Sequence, residues 1–451
     1  MSTAIVWFRS DLRLHDHPAL AAAVREHTRV IPLFVLDDVL LGGRAASENR
    51  AAFMQSCLSA LDAQLRERGS ALVMRAGRPE EIVVALARAT EARSVFWTTD
   101  VSPYARARDA RVSDALRAAG VAPRPHGGTY VIDVSKPRTR GGSPYHVFTP
   151  FFRRWQAAPR RAVAAAPQAL APLPATVDRG TPPGAPFTLG EPSARRAAQA
   201  WLDGPVDRYT ANGSSRLSPY LRWGCLSARA LEEQAERTGG AGAAAWIRQL
   251  AWRDFYAHVL LHWPQNLERE FQERRRSLEW SDDHEQLGAW QRGETGYPIV
   301  DAAMRELAAS GWMHNRTRLI VGSFLTKDLH LDWRLGERWF SRMLLDGEPA
   351  QNNGNWQWIA SVGVDPAPAF RRIYNPTLQA RRFDPTGAYV RRHLPELADV
   401  PGDKLFEPWT MSVGEQRDAG CRIGADYPAP VVEHRLERER ALARYRVSST
   451  A

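Results

Sequence analysis

Cysteine is scarce in this chain: three residues, Cys57, Cys225 and Cys421, far apart and odd in number. That argues against a disulfide framework and a cysteine-built zinc site, and it fits a reducing cytoplasm. Long hydrophobic runs are missing too. None approaches the roughly 20 residues needed to span a bilayer. The start, MSTAIVWFRSDLR, lacks the basic-then-apolar order of a secretory leader. The expectation is a cytoplasmic monomer without membrane contact or bound metal. Lysine is nearly absent: only Lys136, Lys327 and Lys404 occur, so 57 of the 60 cations are arginine. The net charge of +10 and pI near 9.9 favour a polyanionic partner such as nucleic acid, through phosphate contacts and counterion release. A GC-rich coding sequence would give the same arginine bias. No G-x-G-x-x-G follows the first apolar run, so no dinucleotide is expected there.

What is present is ordinary globular composition, 44% hydrophobic and 24% charged over 451 residues, enough for two or three domains. Strand and helix signals alternate at first. AIVWFR (4–9), VIPLFVL (30–36), ALVMR (71–75) and SVFW (94–97) read as strands. Residues 47–68, 79–89 and 103–119 read as helices, the first with Ser47 as N-cap. That order implies an open parallel sheet with helices on both faces, and ligands at the carboxyl ends of its strands. Residues 157–192, rich in Ala and Pro, read as a connector and not as a packed element. Beyond about 194, helical patterns dominate. The expected organisation is an α/β domain over 1–130, a linker over 131–193 and an all-helical domain over 194–451. Of 16 tryptophans, 13 lie from Trp201 onward, which points to stacking surfaces or an aromatic cofactor site in the helical half.

Particular segments carry more. WFRSDLRLHDHPAL opens the chain. SSRLSPYLRWGCLS (214–227), WIRQLAWRDFYAH (246–258) and TGYPIVDAAMRELAASGWMHNRTRLIVGSFLTKDLHLDWRLGERWF (295–340) follow in the helical half. Then come LLDGEPAQNNGNWQWIASVGVDP (344–366) and FRRIYNPTLQARRFDPTGAYVRRHLPEL (370–397). In this order the chain resembles the photolyase/cryptochrome family over nearly its whole length, the connector apart, and within it the class I cyclobutane pyrimidine dimer photolyases. The resemblance implies an α/β antenna domain and a helical domain that holds FAD. It implies repair of pyrimidine dimers in DNA, by an electron passed from light-excited FADH⁻ to a flipped-out dimer.

The resemblance also distributes roles. Tyr209, Ser214, Ser215, Arg216, Leu217 and Ser218 match the FAD phosphate region, where hydroxyls and N–H groups opening a helix suit a pyrophosphate. Trp246, Arg253, Arg318, Asp346, Gly347 and Glu348 match further flavin contacts, with Arg318 expected to pair with Asp346. Asn352 falls where an asparagine lies near flavin N5. Trp356, Trp333 and Trp280 match a chain of three tryptophans that carries an electron to the flavin. Gln249, Trp252, Arg253, Tyr256, Asn315, Arg316, Leu319, Trp358 and Arg371 match the lesion and DNA contacts. Read alone, the tryptophans are packing residues, S-S-R-L-S is a helix cap and Asn-Asn-Gly is a turn.

Two departures stand out. Gln249 replaces a glutamate, and Leu319 a methionine, so a charge and a soft sulfur are lost. Tyr104 and Ala105 occupy the place of the Asn–Glu pair of folate-binding members. The antenna implied is 8-hydroxy-5-deazaflavin, with FMN, FAD or no antenna as alternatives and Arg50 and Asp100 as contacts. Other functions stay open: a cryptochrome photoreceptor, or a nucleotide-binding α/β module joined to an interaction domain. A (6-4) photolyase is disfavoured, because Asn315 and Leu319 stand where its functional histidines would be.

Overall fold

The computed structural model describes residues 2–43, 46–184, 186–204 and 213–448. The chain divides into two compact units. The first is Met1–Pro264 with Leu345–Gln351, and the second is Gln265–Leu344 with Asn352–Ala451.

In the first unit the apolar runs become β1 (Thr3–Phe8), β2 (Arg29–Leu36), β3 (Val73–Ala76) and β4 (Ala92–Thr98). A fifth strand, β5 (Ala122–His126), completes a parallel sheet of order β3-β2-β1-β4-β5. The order reverses direction at β1, which pairs with both β2 and β4, so a crevice opens at the carboxyl ends of these strands. The sequence reading has no β5, for a physical reason. APRPH has no apolar run, is largely exposed and carries Pro123 and Pro125. Prolines two apart point their missing donors to the same side, which an edge strand tolerates. The helix Glu48–Arg66 is capped as read, with the Ser47 hydroxyl accepting from Arg50 N–H at 3.3 Å.

The connector differs from expectation. The described residues of 157–190 form no helix or strand, yet part of the segment packs. Leu170 is buried, and Leu173 and Val177 lie on the core between sheet and helices. Met74 N–H donates to Arg179 O at 2.8 Å, so the connector lines the outer edge of β3. Composition alone does not show this, because three apolar residues among prolines give no periodicity.

The helix Gly240–His262 clamps residues 130–155 by two side chains one turn apart. Asp254 accepts from Trp155 Nε1 at 2.9 Å and from Val131 and Ile132 N–H at 3.1 and 3.2 Å. His258 lies 2.7 Å from Val134 O through Nδ1 and accepts Tyr145 N–H at Nε2, 3.1 Å. Together these contacts require the neutral ring. Burial holds His258 down at about 4. A depressed histidine stabilises the fold above its ordinary value near 6.5, and that stability is lost as pH falls through about 4. Urea unfolding of wild type and His258→Gln checks this: between pH 6.5 and 4 the wild type loses about 3 kcal/mol relative to the variant. Asp254 works in the opposite sense in both proteins, since burial raises it to about 7.

The second unit is helical. Pro298–Ser310, Asn315–Ser323, Trp333–Met343, Pro349–Ile359 and His434–Val447 surround a core that includes Trp290, Phe324, Trp333, Phe340 and Trp356. Gly311 ends the first of these in the left-handed conformation, φ +65°, as a C-cap requires. Trp333, Gly336 and Phe340 fall on one face of their helix, and Gly336 leaves room for the Trp356 ring against the backbone. Among the described residues no helix is long and apolar enough to cross a membrane.

Candidate active site

In the first unit residues 214–218 form a tight polar turn. Arg216 adopts φ +51°, and the Ser214 and Ser215 hydroxyls accept from Arg216 and Leu217 N–H at 3.3 and 3.4 Å. Those hydroxyls can still donate, and Ser214, Arg216 and Ser218 are exposed. The short helix Ser218–Arg222 follows. Its Arg222 Nε donates to Gly347 O at 3.0 Å, joining this turn to the Asp346–Gly347–Glu348 segment. Arg50, expected as an antenna contact, lies near Arg222 and Asp346. Burial and then Arg222 hold its guanidinium down at about 10, against the pull of Asp346. Tyr209 lies outside the described residues.

The helix Gly240–His262 carries Gln249, Trp252, Arg253 and Tyr256 at positions i, i+3, i+4 and i+7, one face. Gln249 is exposed and Trp252 half-buried. One face of Trp252 lies on Phe148, centroids 3.6 Å apart and planes 5° apart, while Phe255 and Tyr256 buttress its edge. Trp252 thus has one indole face covered and its ring fixed. Phe148, which makes this possible, escaped the sequence reading because nothing local marks a residue 104 positions away.

Two residues of this face are buried. Arg253 is buried, donates through Nη1 to Thr129 O at 2.8 Å, lies 3.5 Å from Glu348 and sits over the Tyr130 ring. Its guanidinium is thereby placed to orient Glu348. Tyr256 is buried and supports Trp252. Trp246, one turn before Gln249, is buried as well.

In the second unit the Asn352 amide is oriented by Glu337. Its Nδ2 donates to both the backbone O and Oε1 of Glu337, each at 2.8 Å. Both donors are spent, so the carbonyl oxygen is the end turned toward a further donor. Glu337 was not anticipated, and burial pushes its carboxyl up. Trp356 is buried, edge-on to Phe340 at 5.0 Å and to Trp290 at 6.2 Å. Trp333 is fully buried and donates from Nε1 to Glu270 at 3.1 Å. Trp280 is half-buried. Its neighbour Ser281 bridges Leu331, two residues before Trp333, so the three indoles sit on adjoining segments. Trp358 has one face under Arg372, 4.0 Å away, and its Nε1 donates to Asp365 at 2.9 Å. Asn315 and Arg371 are exposed, Arg316 lies over Phe383, and Leu319 packs on the core edge. Arg318 Nε donates to Met313 O at 2.8 Å.

At the strand ends of the first unit, the Tyr104 hydroxyl lies 2.8 and 2.7 Å from the two Asp37 oxygens. Arg108 lies 3.6 Å from Asp37 and over Trp7. Asp100 accepts Ser102 N–H at 2.8 Å. Apart from Tyr104 and Asp100, sequence reasoning missed this cluster, although the strand-end rule marks its place.

The donor sets fit FAD: hydroxyls and an arginine at 214–218 suit phosphates, and carboxylates at 346 and 348 suit hydroxyls. Comparison with known proteins agrees. A family model described as the FAD binding domain of DNA photolyase matches residues 246–447, and one described as DNA photolyase matches 4–174. A deoxyribodipyrimidine photo-lyase of Streptomyces griseus is 42% identical over 98% of this chain and 100% of its own. A class III photolyase structure from Agrobacterium tumefaciens superposes with a TM-score of 0.92 at 35% identity, covering 100% of this chain and 98% of that one. A cryptochrome structure from Synechocystis reaches 0.89 at 29% identity, covering 98% of each. By sequence over its full length and by fold, the chain belongs to the DNA photolyase family.

Proposed function

We propose that this chain is a deoxyribodipyrimidine photo-lyase that uses FAD to revert cyclobutane pyrimidine dimers in DNA. The observation that carries the reading is full-length likeness, at 42% identity, to a protein of that activity. FAD, when bound and fully reduced, supplies a light-activated electron that is lent to the dimer and regained after the cyclobutane bonds open. The chain's own residues bind and orient. Residues 214–218 and 346–348 hold the phosphates and hydroxyls, and Arg253 fixes Glu348. Asn352, held by Glu337, presents an acceptor to the flavin ring. Trp252 and Trp358 each offer one indole face to exposed bases, and Arg316 and Arg371 meet the backbone phosphates. Trp280, Trp333 and Trp356 relay electrons inward.

Dimer loss from a thymine-dimer oligonucleotide in light and not in darkness is the expected result with photoreduced enzyme. Unchanged dimer in both would overturn the assignment. Base stacking on an aromatic ring contributes ~1–3 kcal/mol. Trp252→Ala should therefore weaken binding of the damaged strand about tenfold or more, measured by fluorescence titration, with affinity for undamaged DNA nearly constant.

The photoreceptor reading has the Synechocystis likeness in its favour, so fold does not separate the two. Dimer repair does. Class I is our subclass reading, set against the class III likeness of the Agrobacterium structure. For the antenna, 8-hydroxy-5-deazaflavin in the strand-end crevice is our reading. Tyr104, held by Asp37, stands where a folate-binding member has its amide. Mass spectrometry of the chromophores released from the purified protein distinguishes these.

A further inference from the structure

The indole N–H of Trp333 does not meet a backbone carbonyl, as that of Trp290 does at Val321. It meets a carboxylate. Glu270 Oε1 accepts from Trp333 Nε1 at 3.1 Å, and both residues are buried. The other oxygen, Oε2, accepts from Arg334 Nη2 at 2.8 Å. Arg334 in turn donates to both Asp332 oxygens, at 3.1 and 3.2 Å, and to Glu268 O at 2.8 Å. The guanidinium is thus fixed on three sides, and with it the carboxylate. Tyr445 also feels the Glu270 charge. Packing alone would be served by any acceptor; an anion locked onto a buried indole changes what that indole can do.

An oxidised indole is a cation and a much stronger acid at N–H than the neutral ring, comparable with a carboxylic acid. Two charges act on it here. Glu270 lies 3.1 Å from Nε1, while the Arg334 guanidinium lies 4.8 Å from the ring centroid. The carboxylate is the charge at the N–H itself, so it favours loss of that proton.

We propose that Glu270 is the proton acceptor of Trp333 during the electron relay. This inference rests on the relay reading above. An electron leaves the Trp333 ring and reduces the Trp356 radical cation, the oxidant that illumination of bound oxidised flavin supplies. The Trp333 N–H bond breaks with its electron pair left on nitrogen. The proton forms an O–H bond on Glu270 Oε1, giving a neutral indolyl radical and a carboxylic acid. No bulk water is needed at this buried position. The proton returns when the radical is re-reduced. Glu270 thus takes part in the relay step itself, as the group that receives the proton and gives it back.

The test uses flavin-loaded protein with Trp280→Phe, which confines the hole to Trp333, and transient absorption after a laser flash. The parent should show the cation spectrum converting to that of the neutral radical, slowed about twofold or more in D₂O. Adding Glu270→Gln should leave the cation spectrum until recombination, a slowing of deprotonation by tenfold or more. Glu270→Asp should restore the conversion in part. Flavin content and melting temperature of each variant report on folding, and the spectral identity of the radical is not moved by a merely structural role. A radical that loses its proton equally fast with glutamine overturns the inference alone. Absence of any tryptophan radical in the Trp280→Phe parent overturns the relay reading and the inference with it.

Discussion

Replacing Trp356 by phenylalanine should all but abolish light-driven reduction of bound flavin while sparing repair by chemically reduced enzyme. Trp356 is buried, and its ring packs against the helix that carries Trp333. Phenylalanine keeps an aromatic of similar shape but is far harder to oxidise, and ~2.7 kcal/mol added to a barrier already slows a step a hundredfold. Photoreduction is followed by absorbance under continuous light with an external reductant. Dimer repair is measured separately after chemical reduction. The split is diagnostic: a variant that failed in both assays would be a packing defect. Some loss of stability, about 1–3 kcal/mol, is expected from the smaller ring.

Gly336→Ala should be strongly damaging to the second unit. A Cβ built at Gly336 would stand 2.1, 2.5 and 2.6 Å from the Cη2, Cζ3 and Cζ2 atoms of Trp356. Helix propensity favours alanine by about 1 kcal/mol. That gain is outweighed, because overpacking a filled core costs ~1–3 kcal/mol even when neighbours adjust, and here the obstacle is a rigid buried ring. The expected result is a clear fall in melting temperature together with slower photoreduction, since Trp356 must shift. Combining it with Trp356→Phe supplies the control. The smaller ring gives back space, so the double variant should be more stable than the sum of the two single losses allows. An additive result would place the strain elsewhere.

Much of the fold was legible because its cues are local. Ser47 and Pro103 announce helix starts that the structure keeps, and the runs at 30–36 and 94–97 lie within or on the observed strands. β5 was illegible because an edge strand needs no apolar face. The connector was misread because its packing depends on Arg179 reaching Met74, a partner more than a hundred residues away in sequence. In the site, Gln249, Trp252, Arg253 and Tyr256 fall on one face of one helix, and helical spacing alone foretells that. What each does was not legible. Arg253 became an interior positioning group only because Thr129 and Glu348 meet it there. The environments of the tryptophans were equally hidden: Glu270 and Trp333 are 63 positions apart, and Asn352 and Glu337 15.

The two rims of the sheet in the first unit are closed by different means. On one side Pro123 and Pro125 deny a neighbour the donors it would need; on the other the connector already occupies the β3 rim through Met74. Open rims recruit strands from other molecules, above all when proteins are crowded along a shared polymer. A net charge of +10 draws a protein toward polyanions. Blunted rims let it crowd there without knitting into β-aggregates, so Pro123→Val with Pro125→Val should shorten the time to turbidity on heating without altering the sheet's inner strands.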